Sequence, residues 1–187
     1  MQTNLYYKTF QILGAFILVV IFGILSVSCK SYHLGSPAEV HFKSIYLPPV
    51  TNHSYAPQAQ AIVSAMLREN FIRDARVKVV AKQENADAVL LVDLTDYERD
   101  STARNPQDTT IADSFDVQLA ADVSLLDRKT GTHFFANRPI EVTTNAYTRD
   151  PYNNDPAIAY QLSERQAMEQ LARELARKVT NMVLSPW

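Results

Sequence analysis

Four kinds of side chain in this sequence have chemistry to offer: one thiol, four imidazoles, closely spaced carboxylates and scattered guanidinium groups. The thiol, Cys29, sits in the stretch ILSVSCKSYHLG (residues 24–35), where an apolar run gives way to polar sequence. A single cysteine excludes an internal disulfide framework and a Cys-rich zinc site. It leaves acylation as a use for the sulfur, set against a buried or incidental thiol; so close to an apolar anchor segment, a nucleophile is not expected. His33, His41, His53 and His133 stand apart, without the HxxxH or HExxH spacing that places two imidazoles on one metal. Asp93 and Asp96 fall in one segment, and Asp113 and Asp116 flank another. Paired carboxylates can share general acid and base work. The same spacing also makes the solvated face of a sheet, and that is the reading adopted. There is no GxSxG elbow, and after residue 28 only Gly35 and Gly131 are glycine, too few for a phosphate-cradling loop. An enzyme is not expected, and neither is a metal.

The elements that position these groups begin with the apolar run. Residues 12–25 contain only Ile, Leu, Val, Phe, Ala and Gly, about 21 Å of helix against a bilayer core of roughly 30 Å. That length suits the h-region of a signal peptide, here residues 1–28, better than a membrane span. The competing reading is an uncleaved anchor, because the uncharged stretch runs from Thr9 to Cys29. Small residues Ser26 and Ser28 close the segment as a cleavage site requires. Leu25-Ser26-Val27-Ser28-Cys29 resembles a bacterial lipobox, whose cysteine is acylated and becomes the mature N-terminus. Several acyl chains together anchor a protein stably where one does not. The cofactor expectation is therefore none, apart from a covalent lipid on Cys29. Lys30 follows the cysteine in place of the Asp associated with inner-membrane retention, so by resemblance the expected destination is the outer membrane.

The remainder is an ordinary globular composition: 187 residues in all, 47% hydrophobic, 20% charged, net charge −2. No basic excess marks a nucleic-acid partner. Residues 29–39 read as a tether. Residues 40–50 (VHFKSIYLPPV) read as a strand stopped by Pro48-Pro49. Residues 55–70 place Ala59, Ile62, Val63, Met66 and Leu67 at helical spacing, with Pro57 in the first turn. Residues 77–81 and 86–98 read as strands. In residues 115–126, Phe115, Val117, Leu119, Ala121, Val123 and Leu125 alternate with Asp116, Gln118, Asp122 and Ser124, which predicts an antiparallel strand with one wet face. DRKTG (residues 127–131) is a turn in which Gly131 can take positive φ, and residues 133–143 return as the hairpin partner. A last helix over residues 156–184 aligns Met168, Leu171, Ala172, Leu175, Ala176, Val179, Met182 and Val183. The predicted order is β-α-β-β-β-β-α. The fold class is α+β, a two-layer sandwich whose mostly antiparallel sheet of four to five strands is covered on one face by two amphipathic helices. Residues 40–187 form that single domain. Residues 99–114 and 144–155 are expected to be long polar loops, functional or simply solvated.

Taken in order, several stretches resemble one family. Cys29-Lys30-Ser31-Tyr32-His33-Leu34-Gly35, then Ile45-Tyr46-Leu47-Pro48-Pro49-Val50-Thr51-Asn52, Ala86-Asp87-Ala88-Val89-Leu90 with Tyr97, Leu126-Asp127 with Thr130-Gly131, and the helix bearing Ala167, Leu171, Ala172 and Val179 are similar to the lipopolysaccharide-assembly lipoproteins of the LptE type. The resemblance implies a non-enzymatic outer-membrane lipoprotein that plugs and helps assemble a large β-barrel of the LptD type, with lipopolysaccharide as a further partner. A barrel lumen is polar, and the wet sheet face suits it. Arg99, Arg104, Arg128, Lys129, Arg138 and Arg149 lie on or beside expected loops and strand ends. Guanidinium groups pair well with phosphates, so these six are the candidate lipopolysaccharide or barrel contacts, set against a role as ordinary surface charges. Two other readings stay open: a different periplasmic lipoprotein adaptor with the same layout, and a secreted hydrolase with a cryptic carboxylate pocket.

Overall fold

Pro48 and Pro49 divide the first expected strand in two, because neither can donate to a ladder. The computed structural model describes residues 40–56, 58–104, 112–147 and 156–185. Its elements are β1 (Ser44–Tyr46), β2 (Thr51–Asn52), α1 (Ala59–Asp74), β3 (Lys78–Val80), a 3-10 turn (Gln83–Asn85), β4 (Ala88–Arg104), β5 (Ala112–Asp127), β6 (His133–Tyr147) and α2 (Pro156–Leu184). The sheet runs β3-β1-β4-β5-β6, and β2 joins the same edge of β4 further along. β1 is parallel to β3 and β4, and β2 is parallel to β4. The ladder β4-β5-β6 is antiparallel. The result is the expected α+β sandwich with a mixed sheet, since the short N-terminal strands reach it through helical or irregular crossovers.

The two helices lie on one face. Ala59, Val63, Leu67 and Phe71 of α1 are buried, as are Ala167, Met168, Leu171, Leu175, Val179 and Val183 of α2. They meet Ala88, Leu90, Val92 and Leu94 of β4 and the alternating Val117, Leu119, Ala121, Val123 and Leu125 of β5. A buried side chain of this size contributes about 1.5–3 kcal/mol, so the core gathers between the helices and this part of the sheet. α1 ends at Ala75, which adopts φ 60. The next residue, Arg76, grips Asp74 with Nε and Nη2 (2.5 and 2.8 Å) and donates to the Leu184 carbonyl (3.1 Å). That joins the C-terminal ends of both helices. No helix among the described residues is long and apolar enough to cross a membrane.

The strands outrun the sequence pattern. Residues 99–104 and 112–114, expected in a polar loop, continue β4 and β5, and residues 144–147 continue β6. Backbone pairing carries the ladder on after the apolar alternation stops, helped by a hydroxyl bond between Thr102 and Ser114 (2.9 Å). At 17 residues β4 is about 55 Å long. Arg99 and Arg104 are therefore strand residues and not loop residues, while Arg138 lies in the strand expected for it. Pro57, the tips of both expected loops, and the signal segment and tether with Cys29 lie outside the described residues.

Candidate binding surface

The near end of the long strands is organised by one carboxylate. Asp87 enters β4, and its Oδ2 accepts from the Ser44 hydroxyl (2.8 Å) and the backbone N–H groups of Ser44 (3.1 Å) and Lys43 (3.2 Å). Its Oδ1 lies 2.8 Å from Lys129 Nζ in the β5–β6 turn. The Lys129 ammonium, then the Ser44 hydroxyl, hold the Asp87 carboxyl well below the usual carboxylate range. The turn itself follows from its residues. Asp127 Oδ1 accepts from the N–H of Lys129 (2.7 Å), the Asp127 carbonyl accepts from the N–H of Gly131 (2.9 Å), and Gly131 has φ 71. Arg128 Nε donates to the Ala86 carbonyl (2.5 Å). Arg128 and Lys129, expected at a site, thus both pin the turn to the start of β4.

From Asp93 onward the sheet face opposite the helices is polar and one-signed, whereas Val89 and Leu91 keep its first part apolar. Register puts Asp93, Asp96, Glu98 and Asp100 of β4, Asp116 and Asp122 of β5 and Glu141 of β6 on that side. The open-face positions within residues 93–100, 114–124 and 139–147 hold no Lys or Arg. Asp93 stands directly opposite Asp122, and Asp100 opposite Asp116, pairings that disfavour the fold slightly. Asn145 Nδ2 donates to Asp116 Oδ1 (2.5 Å). Asp93 Oδ2 lies 3.5 Å from His53 Nε2, while Asp93 Oδ1 is buried without a hydrogen-bond partner. Among the described residues no three of these groups come together to hold a metal ion. Each strand alone shows its own share of acids; only the register adds them into one sheet of negative charge.

At the far end the Arg99 guanidinium turns back onto α2. Its Nη1 donates to Tyr160 Oη (2.6 Å) and to Glu164 Oε1 (3.1 Å), and Tyr97 Oη donates to the same Glu164 oxygen (3.3 Å). Burial first, then the Glu164 carboxylate, push the Tyr97 phenol up. Phe115 meets Tyr160 edge-on at 6.0 Å. Arg138 lies elsewhere, with its guanidinium 4.5 Å over the Phe135 ring, beside Asn137 at φ 48. The candidate cations are therefore not gathered. Arg128 and Lys129 are at the near end, Arg138 is part-way along β6, and Arg99 with the backbone of Arg104 is at the far end. Arg149 and the Arg104 side chain lie outside what is described. Asp87 escaped notice as a hub; its only sequence signal is a lone acid opening an apolar run.

A model of the LptE family, described as lipopolysaccharide assembly, matches residues 42–183. The chain belongs to the LptE lipopolysaccharide-assembly family. The matched span contains every element from β1 to α2 but for the final residue of α2. Two solved structures share the fold of this LptE-family chain. Rare lipoprotein B from Shewanella oneidensis is 14% identical over 75% of this chain and 92% of its own, with a TM-score of 0.51. The hypothetical protein CT253 from Chlamydia trachomatis is 11% identical over 75% of this chain and 95% of its own, with a TM-score of 0.52. At those identities the likeness is one of fold. A comparison with curated proteins finds no match.

Proposed function

We propose that this chain is a non-enzymatic, lipid-anchored component of the lipopolysaccharide transport machinery, held at the outer membrane through Cys29 and seated in a β-barrel of the LptD type. The observation that carries this reading is the family match across residues 42–183. The organisation of the domain supports it. Its core is filled by side chains and the open sheet face is hydrophilic, as a body inside a water-filled lumen requires. The seven carboxylates would repel phosphate, so lipopolysaccharide contact is assigned away from the open face, to the candidate cations. Of these, Arg138 retains an exposed guanidinium at a strand edge, whereas Arg99, Arg128 and Lys129 already serve intramolecular bonds.

The test is affinity purification of the full chain from native membranes, with intact-mass analysis of the bait and identification of stoichiometric partners. A mature N-terminus at Cys29 carrying acyl mass, together with a large β-barrel, is the expected result. A lipidated chain without a barrel would favour a different lipoprotein adaptor. A chain retaining residues 1–28 would remove the lipid anchor from the reading.

A further inference from the structure

The two long edges of the sheet are treated differently. On β6 the backbone groups that point outward belong to residues 141, 143, 145 and 147, by the alternation of the antiparallel ladder. α2 takes the first and last of them: Lys178 Nζ donates to the Glu141 carbonyl (2.8 Å), and the Tyr147 N–H donates to Ser163 Oγ (2.6 Å). Pro139 and the left-handed Asn137 interrupt the rest of that edge. These are the devices by which a sheet blocks unwanted pairing.

On the other side, β1 and β2 pair with β4 only as far as Leu94. Beyond it, no strand among the described residues pairs with β4 on that side. The Tyr97 N–H is turned to Asp96 Oδ1 (2.8 Å), so Tyr97 points its backbone outward, and by alternation Arg99 and Ser101 do the same. Residues 98–102 are exposed. Register shifts at 94/96 and 101/103 bracket the segment, confining pairing to residues 96–101. It has no proline, and among the described residues no helix side chain bonds its outward N–H or C=O groups, of which the Tyr97 N–H is held by its neighbour Asp96.

We propose that this edge, residues 96–101 of β4, is a docking edge that accepts an extended segment of a partner protein carrying Lys or Arg at alternate positions. Strand addition satisfies the free backbone groups. The side chains decide who is admitted. Asp96, Glu98 and Asp100 line the open-face side of this edge, and cross-strand neighbours of opposite charge stabilise while like charges destabilise. A basic residue opposite each of them continues the acidic face with its complement. A second copy of this chain is excluded by the same rule. Two-fold pairing about Arg99 would set Glu98 against Asp100 and Arg99 against Arg99. The inference does not depend on which protein supplies the segment.

The experiment uses the full chain in detergent and a capped peptide of alternating lysine and threonine, about nine residues long. Its controls are a glutamate–threonine counterpart and a lysine–threonine peptide N-methylated along one edge. Binding is read by fluorescence anisotropy, and its location by amide hydrogen exchange. The expected result has three parts: the Arg99 and Ser101 amides exchange fast in the free protein and become protected by the basic peptide; the acidic peptide and the N-methylated peptide bind at least about tenfold more weakly; and Glu98→Lys/Asp100→Lys weakens binding of the basic peptide by a similar factor. Equal affinity for the N-methylated and unmodified basic peptides would overturn strand addition, leaving only electrostatic attraction. Protection at another place, slow exchange at Arg99 and Ser101 before peptide is added, or a dimer of the chain that buries this edge would each overturn it as well.

Discussion

The two halves of the β4–β5 hairpin differ more than their continuous ladder suggests. From Ala88 to Leu94 the strand lies within a six-stranded sheet, backed by two helices, and its helix-facing side chains are fully buried. From Asp96 to Arg104 the same strand pairs only with β5, exposes residues 98–102, and is tied to α2 chiefly through Tyr97 and Arg99. One half spends its side chains on burial and the other presents them. The lesson is a division of labour along one element: the apolar half carries the fold, and the polar half is free to be selected for contact.

The largest effect that would break this comparison comes from the apolar half. Phe71, at 0% exposure, packs α1 into the core. Phe71→Ala is expected to cost about 3–5 kcal/mol in denaturant unfolding. A loss no larger than that of a surface substitution would mean that stability is not concentrated there.

Next in size is Asp87→Ala, which leaves two backbone N–H groups and Lys129 without their shared acceptor and is expected to cost about 1–3 kcal/mol. The pH dependence sharpens the point. The folded-state value of Asp87 is depressed, so its contribution is complete above the unfolded-chain value near pH ~4 and is lost as pH falls through the folded value. Asp87→Asn should flatten that part of the acid slope, measured by unfolding free energy at a series of pH values. An unchanged slope would move the pH sensitivity elsewhere.

A smaller and more local effect is expected from the polar half. Arg99→Ala should lower global stability by at most about 1 kcal/mol, yet speed exchange of the Glu98 and Asp100 amides that bond β5, and of their partners Gln118 and Asp116, while the Leu90 and Leu125 amides stay protected. Simultaneous acceleration in both halves would show that the hairpin opens as one unit. The smallest change has the opposite sign. Ala75 ends α1 in the left-handed region, where a Cβ is disfavoured, so Ala75→Gly should stabilise by about 0.4–1 kcal/mol in thermal or denaturant unfolding.

Much of the apolar half was legible in advance. The stripes of α1 and α2 and the alternation of residues 115–126 follow from the periods of helix and strand, and the structure buries those residues, with Ile62, Met66, Phe115 and Met182 partly buried at the core's margin. Phe71 was left out because it lies past the expected helix end; helix boundaries depend on capping and packing more than on pattern. The polar half was read as strand only as far as Glu98 and as loop from Arg99 on. Once apolar alternation stops at Leu94, only the backbone ladder with β5 keeps residues 96–104 extended, and pairing between distant segments leaves no periodic trace in either. The candidate cations were found by type and place near turns, which does not reveal that Arg128 and Lys129 are occupied with the turn itself.

The sequence by itself determined the lipobox-like segment around Cys29 as an expectation, the β-α-β-β-β-β-α order, the core-facing residues and the family resemblance, because each rests on local period or local residue order. Only the tertiary structure decided the mixed sheet order, the assembly of seven carboxylates from three strands into one face, and the contrast between a capped β6 edge and an open β4 edge. Those depend on register and on which side chains of α2 reach the sheet, and register is a relation between segments far apart in the chain.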